Sequence, residues 1–175
     1  MFDDLLASIK NEELLSVYTD VENTDTFSAG FLQAISEGFL LLSHVTPYGM
    51  YDGYLVKISN NVYRIERDGK YENILTKLYT YKQQKHEKVD IIENNIVRSI
   101  LYLAKARGYF VTMQLLESGY ENIQGKIIDV GEVLTILQYD NYGEENGEAV
   151  INILSISELY CDTEKEQTLK LLSVI

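Results

Sequence analysis

Apolar and polar residues change period along the chain, and they do so twice in the same order. Phe2, Leu5, Leu6 and Ile9 fall at helical spacing around the acidic pair Asp3 and Asp4, which predicts a short helix with its acids at the favourable end of the dipole. Residues 14–21 read as a strand and 22–25 as a polar turn. A long strand is expected over 27–36, bent where Gly30 interrupts it, then a tight turn at Ser36, Glu37 and Gly38 and a return strand over 39–46. Residues 47–53 carry the only proline and two glycines and read as a loop. Strands over 54–58 and 62–66 flank the polar Ser59, Asn60 and Asn61. A helix follows, with Tyr71, Ile74, Leu75, Leu78 and Tyr81 on one face and the polar run 82–88 at its end.

The second passage opens with the strongest helical pattern, 89–107. Ile92, Ile96, Ile100 and Leu103 recur on one face, Asp90 and Glu93 are expected in its first turn, Lys105 and Arg107 in its last, and Gly108 as its cap. A strand over 109–116, a hairpin of 123–129 and 133–139 across Val130, Gly131 and Glu132, a loop over 141–147, and strands over 149–154 and 156–160 follow. The segment 163–175 opens on a capping-box pattern, Thr163 with Glu166, and sets Leu169, Leu172 and Ile175 at helical spacing.

The stretch 27–65 thus returns about 94 to 95 residues later: Gly30 is answered by Gly125, Tyr48 and Gly49 by Tyr142 and Gly143, Asp52 and Gly53 by Asn146 and Gly147, Ile65 by Leu159, and Asp68 by Asp162. A repeat this long is a small domain copied once rather than a solenoid unit. It divides the chain into 1–87 and 88–175, two units whose thin cores favour packing on each other or on other chains.

Composition narrows the function classes. A net charge of −12 opposes a phosphate backbone, and the basic residues are dispersed, the densest group lying between Lys77 and Lys88 on and after a helix. Protein partners or self-association are therefore the first expectation, with RNA second. No apolar run is long enough to span a membrane, and the start, Met1 to Asp4, has no basic region leading into an apolar one, so a cytoplasmic protein is expected. One cysteine, Cys161, excludes an internal disulfide.

Candidate chemistry is sparse. His44 sits on a strand and His86 in a polar linker, no serine or cysteine beside either one suggests an activated nucleophile, and the acidic neighbour Asp162 disfavours a Cys161 thiolate. Asp3 with Asp4 and Glu144 with Glu145 lie where dipole matching or solvation accounts for them. Residues 140–144 only faintly suggest a calcium loop, and no glycine loop for phosphates is present. No catalytic residue, metal site or cofactor is expected. Tyrosine is the unusual residue type, with 14 in the chain and no tryptophan. Tyr48, Tyr51 and Tyr54 surround the first long loop, Tyr139 and Tyr142 its counterpart, and with Asn61 these are the candidate contacts to a protein partner or an RNA.

Each copy is a helix followed by five strands, the second bent, with a very short connection between the fourth and fifth. Gly30 with Leu32, then Ile35 and the apolar run 39–42, resemble the first Sm motif. Residues 59–65, with Asn61, Val62 and Ile65, resemble the Gly-x-Asn-Ile-x-x-Ile close of the second. The chain resembles two tandem copies of the Sm-like fold of Sm, LSm and Hfq-type proteins. The resemblance implies a mostly β fold with flanking helices, built as two bent five-stranded SH3-like barrels. It also implies assembly by pairing edge strands, either as a homo-oligomer such as a three-chain ring or as a pair closed within the chain. Where that family holds an RNA base with Asp and Asn after the bent strand, this chain has Ser36 and Leu40, and Ile58 replaces a basic residue. The second copy has Val130, Gly131 and Glu132 at the first turn and residues 155–159 at the second. The same alternation with glycines fits other small SH3-like or OB-like barrels.

Overall fold

The computed structural model describes residues 1–116 and 122–175. The chain divides into two compact units, Met1–Lys88 and Val89–Ile175, both mostly β with flanking helices. In the first unit α1 (Phe2–Asn11) precedes β1 (Leu14–Tyr18), β2 (Ser28–Ser36), β3 (Phe39–Val45), β4 (Tyr51–Ile58) and β5 (Arg64–Glu66), and α2 (Lys70–Tyr81) closes it. In the second, α3 (Ile96–Arg107) precedes β6 (Phe110–Leu115), β7 (Asn122–Val130), β8 (Val133–Tyr139), β9 (Glu145–Asn152) and β10 (Ile156–Cys161), with α4 (Glu164–Leu172) at the end. One turn of 3-10 helix joins β4 to β5 (Ser59–Asn61) and β9 to β10 (Ile153–Ser155).

Both units have the same antiparallel order. In the first, β5 pairs with β1, β1 with β2, β2 with β3 and β3 with β4. In the second, β10 pairs with β6, then β7, β8 and β9 follow in sequence. Among the described residues no ladder joins β4 to β5 or β9 to β10, so the strands of each unit form an open sheet rather than the bent five-stranded barrel expected. The 3-10 turns turn the chain out of β4 and β9 instead of folding it back as a hairpin.

Two glycines set the course of the second strand in each copy. Gly30 lies opposite His44, and a Cβ there would stand well under 3.0 Å from the Ser43 carbonyl oxygen. Gly125 lies opposite Gln138, with φ at 150°, and a Cβ there would meet the Leu137 carbonyl oxygen in the same way. Backbone comes so close to backbone that no side chain fits. Three residues on, both strands carry a bulge, between Leu32 and Ala34 and between Ile127 and Asp129. Glycine and bulge together bend the strand.

The helix after the fifth strand is anchored by a buried carboxylate. Ser16 Oγ on β1 donates to Glu72 at 2.5 Å, and Thr112 Oγ1 on β6 donates to Glu166 at 2.6 Å. Each Glu is the third residue of its helix, and the residue before the cap, Asp68 or Asp162, takes a left-handed φ of 59° or 56°. In α4 the predicted capping box is present: Glu166 also accepts from the Thr163 amide at 3.1 Å and from its hydroxyl. Far along the same helices, Gly49 packs on Leu78 and Gly143 on Leu172, again closer than a Cβ allows.

Several expected boundaries shift. The helix expected over 89–107 begins at Ile96: Glu93 and Asn94 are left-handed, with φ of 50° and 57°, and Asn95 caps the helix by accepting from the Arg98 amide at 2.9 Å. Asp90 and Glu93 therefore lie outside it, whereas Lys105, Arg107 and the Gly108 cap stand as expected. On α2, Tyr71, Ile74 and Tyr81 are exposed, and the buried face is Glu72 and Leu75, because the helix turns its carboxylate toward Ser16. Strands β4 and β9 begin inside the two segments expected to be loops, and Leu154 belongs to a 3-10 turn rather than a strand. Ile175 is exposed beyond the end of α4.

Alanine at Gly30 or at Gly125 is expected to destabilise the protein by about 2 to 4 kcal/mol, since neighbouring backbone must move to admit one methyl group. Urea unfolding of G30A and G125A checks this, and a loss below about 0.5 kcal/mol in both would contradict the close-approach argument.

Candidate interaction site

The six residues singled out in sequence separate into two kinds. Tyr48 and Tyr142 stand at equivalent places, each just before the glycine that packs on the helix, and they are 75% and 82% exposed. Their loops hold them there. Thr46 Oγ1 accepts from the Tyr48 amide at 3.3 Å and from the Met50 amide at 3.1 Å, while Asp140 Oδ1 accepts from the amides of Tyr142 and Glu144, both at 2.9 Å. Neither phenol hydroxyl has a hydrogen bond among the described residues. Asn61 is exposed at the end of the first 3-10 turn.

The other three tyrosines are held inward. Tyr54 is 1% exposed, so it belongs to the core of the first unit rather than to a rim. Its hydroxyl donates to the Glu87 carbonyl at 3.1 Å. Tyr51 lies over His86, with ring centroids 4.4 Å apart. Tyr139 packs against Phe110 at 5.1 Å, and its hydroxyl donates to Glu145 at 3.4 Å.

His86, expected in a polar linker, is instead the centre of an aromatic cluster. Tyr79 O–H bonds its Nδ1 at 2.8 Å, its Nε2 donates to the Gly53 carbonyl at 2.9 Å, and the rings of Tyr51, Tyr54 and Tyr79 surround it. Burial pushes its pKa down to about 4, outweighing the opposing pull of the Gly53 carbonyl, so the ring is neutral. The linker is thereby fastened to the first unit. Gln33 Nε2 adds a bond to the Glu87 carbonyl at 3.1 Å, and a cavity of about 570 Å³ lies beside the cluster, lined among others by Phe31, Tyr79, Gln84 and Lys85.

Among the described residues, nothing near these rings completes a catalytic set. His44 Nδ1 lies 2.7 Å from Asp52 Oδ2, but the adjacent Ser43 is buried and accepts from Gln33 at 2.6 Å. Cys161 is fully buried, and its thiol pKa is raised first by that burial and then by Asp162 and Glu166. Asp140, the first acid of the segment that hinted at a calcium loop, turns an oxygen onto the backbone amides of its own loop. Among the described residues no three His, Cys, Asp or Glu side chains are grouped to hold a metal ion. Leu40, at the position where the Sm-like resemblance places a base-binding side chain, is fully buried.

No protein-family model, no curated protein and no solved structure matches the chain.

The depressed His86 pKa gives a pH dependence with a definite sign. In the unfolded chain the imidazole takes a proton near pH 6.5, and in the fold it does so only near pH 4, so its contribution is complete above pH 6.5 and is lost as the pH falls toward 4. Between pH 7.5 and 5.0 the protein is expected to lose about 2 kcal/mol that H86Q does not lose. Urea midpoints of both proteins at the two pH values measure the difference. Equal losses would show that His86 is not held neutral.

Proposed function

We propose that the chain is a non-enzymatic assembly or interaction module of two tandem Sm-like units, each a bent barrel left open between its fourth and fifth strands, working in the cytoplasm through protein partners or through further copies of itself. The observation that carries this reading is the repeated pair Tyr48 and Tyr142. A tyrosine has a large apolar ring and a polar tip, and at three-quarters exposure or more it stabilises little within its own fold. Residues of this kind are the usual anchors of protein interfaces. Finding one at the same turn in both copies fits a surface that is used twice.

The strand order of each unit supports the Sm-like reading. A helix before five strands, a second strand bent at a glycine, and a one-turn connection from fourth to fifth are the features that the resemblance rests on. Among the described residues, within its own unit the fourth strand pairs with the third alone and the fifth with the first alone. Edge pairing is the mode of assembly that this order favours. Buried Leu40 and the net charge of −12 weigh against an RNA base pocket, although RNA binding is the alternative reading that the same fold would serve.

Light scattering is expected to give a mass that is a multiple of the 20.1 kDa chain, and three chains would fit a ring. A mass of one chain would remove the ring and leave only pairing within the chain. Y48S combined with Y142S is expected to weaken association by about 1 to 2 kcal/mol per site while leaving the unfolding midpoint in place. Submicromolar binding of labelled single-stranded RNA that falls steeply with salt would instead overturn the protein-partner reading.

A further inference from the structure

The two copies differ in kind at one place, beside the start of the second strand. In the first unit it is filled with rings: Phe27 packs on Tyr18 at 5.1 Å and on Tyr71 at 5.4 Å, above the buried Ala29. The registers fix the counterparts. Ser16 faces Ala29 as Thr112 faces Gln124, and Gln114 faces Asn122, which stands where the first copy has Phe27. On the helix, Lys165 precedes Glu166 as Tyr71 precedes Glu72. The second unit has therefore exchanged Phe27, Ala29 and Tyr71 for Asn122, Gln124 and Lys165. Where the rings were, it has an open polar cleft.

The cleft consists of two adjoining hollows of about 380 and 400 Å³ that share Gln124, Asn141 and Lys165, and the second also takes in Asn122, Gln138 and Asn146. Gln124 is only 9% exposed, and its Nε2 donates to the Tyr139 carbonyl at 3.2 Å and to Asn141 Oδ1 at 2.9 Å. No described donor reaches its Oε1. Since no fully buried side-chain polar atom lacks a partner among the described residues, that oxygen is the end open to the cleft. A held amide carrying an unused acceptor is a poor way to fill a core and a ready way to receive a donor.

We propose that this cleft of the second unit binds a neutral, hydroxyl-rich ligand, a monosaccharide or sugar unit, through Gln124 and the surrounding amides. Each amide offers both donor and acceptor groups, as each sugar hydroxyl does. Charge points the same way. Lys165 stands among two lining acids, Glu164 and Asp140, so the lining carries no excess positive charge to favour a phosphate, and Asp140 already turns an oxygen onto the backbone amides of its own loop. Leu169 and Leu172 supply an apolar wall for C–H faces. A nucleobase would need a free ring to stack on, and Tyr139, the one aromatic side chain lining the hollows among the described residues, already lies against Phe110.

The first copy supplies its own control, because it shows which residues fill this place in the same fold. The full ¹⁵N-labelled chain, titrated separately with glucose, galactose, mannose and N-acetylglucosamine to about 50 mM, is expected to show saturable shifts of the Gln124, Asn141 and Asn146 side-chain amides for at least one sugar, with a Kd of about a millimolar. The triple variant N122F, Q124A and K165Y, whose fold is checked by its amide spectrum, is expected to weaken that binding at least about tenfold. Should the triple variant not fold, Q124A alone carries the same expectation. Absence of shifts with all four sugars, unchanged binding in the folded variant, or shifts of the same amides with adenosine or inorganic phosphate but not with sugars would each overturn the proposal.

Discussion

The close approach of one backbone to another at Gly30 and Gly125 is the constraint on which both units depend. It costs the chain two residues with no side chain to pack, and it allows the second strand to bend into the third without a clash. The bulges at Gln33 and Ile128 sit just past it, and the bent strand can then serve the first strand on one side and the third on the other. With the first strand fixed, its hydroxyl residue meets the buried glutamate of the helix. A single missing methyl group thus governs strand direction, and strand direction governs where the helix docks.

Around this common frame the two copies have kept the skeleton and changed its contents. Ser16 with Glu72 and Thr112 with Glu166 are the same device in two spellings, as are Gly49 on Leu78 and Gly143 on Leu172. Elsewhere the chemistry has moved apart. His44 and Asp52 of the first copy become Gln138 and Asn146, and an aromatic cluster becomes amides and a lysine. Charge has been exchanged for neutral polarity at one point and apolar packing at another, with the ladders intact. Such tolerance is expected where backbone pairing and a few close contacts, rather than one packed core, specify the fold.

What the sequence disclosed was whatever depends on near neighbours. The capping box at Thr163 and Glu166, the Gly108 cap and the glycine-bearing bent strands are local arrangements, and their residues are close enough in sequence to be read together. The start of α3 is masked in the sequence because Val89 and Ile92 continue a helical spacing that the left-handed Glu93 and Asn94 interrupt. Burial of Glu72 was invisible for a different reason, since its partner Ser16 lies 56 residues away and a glutamate on a helix reads as a solvated face. Separation also hid the setting of His86, whose Nε2 reaches Gly53, 33 residues back. Of the candidate residues, composition found the exposed Tyr48 and Tyr142. It could not separate them from Tyr54, because exposure is a property of the packed chain. The amide cleft carried no signal beyond the place where the repeat fails to repeat, at Phe27 and Asn122.

Duplication within one polypeptide has a consequence that assembly from identical subunits does not. In a ring of identical chains every substitution is printed on every member, so no position can be retained in one and altered in its neighbour. Here Phe27 and Asn122 are inherited independently, and one copy is at liberty to lose its rings while the other keeps them. The stoichiometry of anything held by the second copy is then fixed at one for every two units, set by translation rather than by equilibrium.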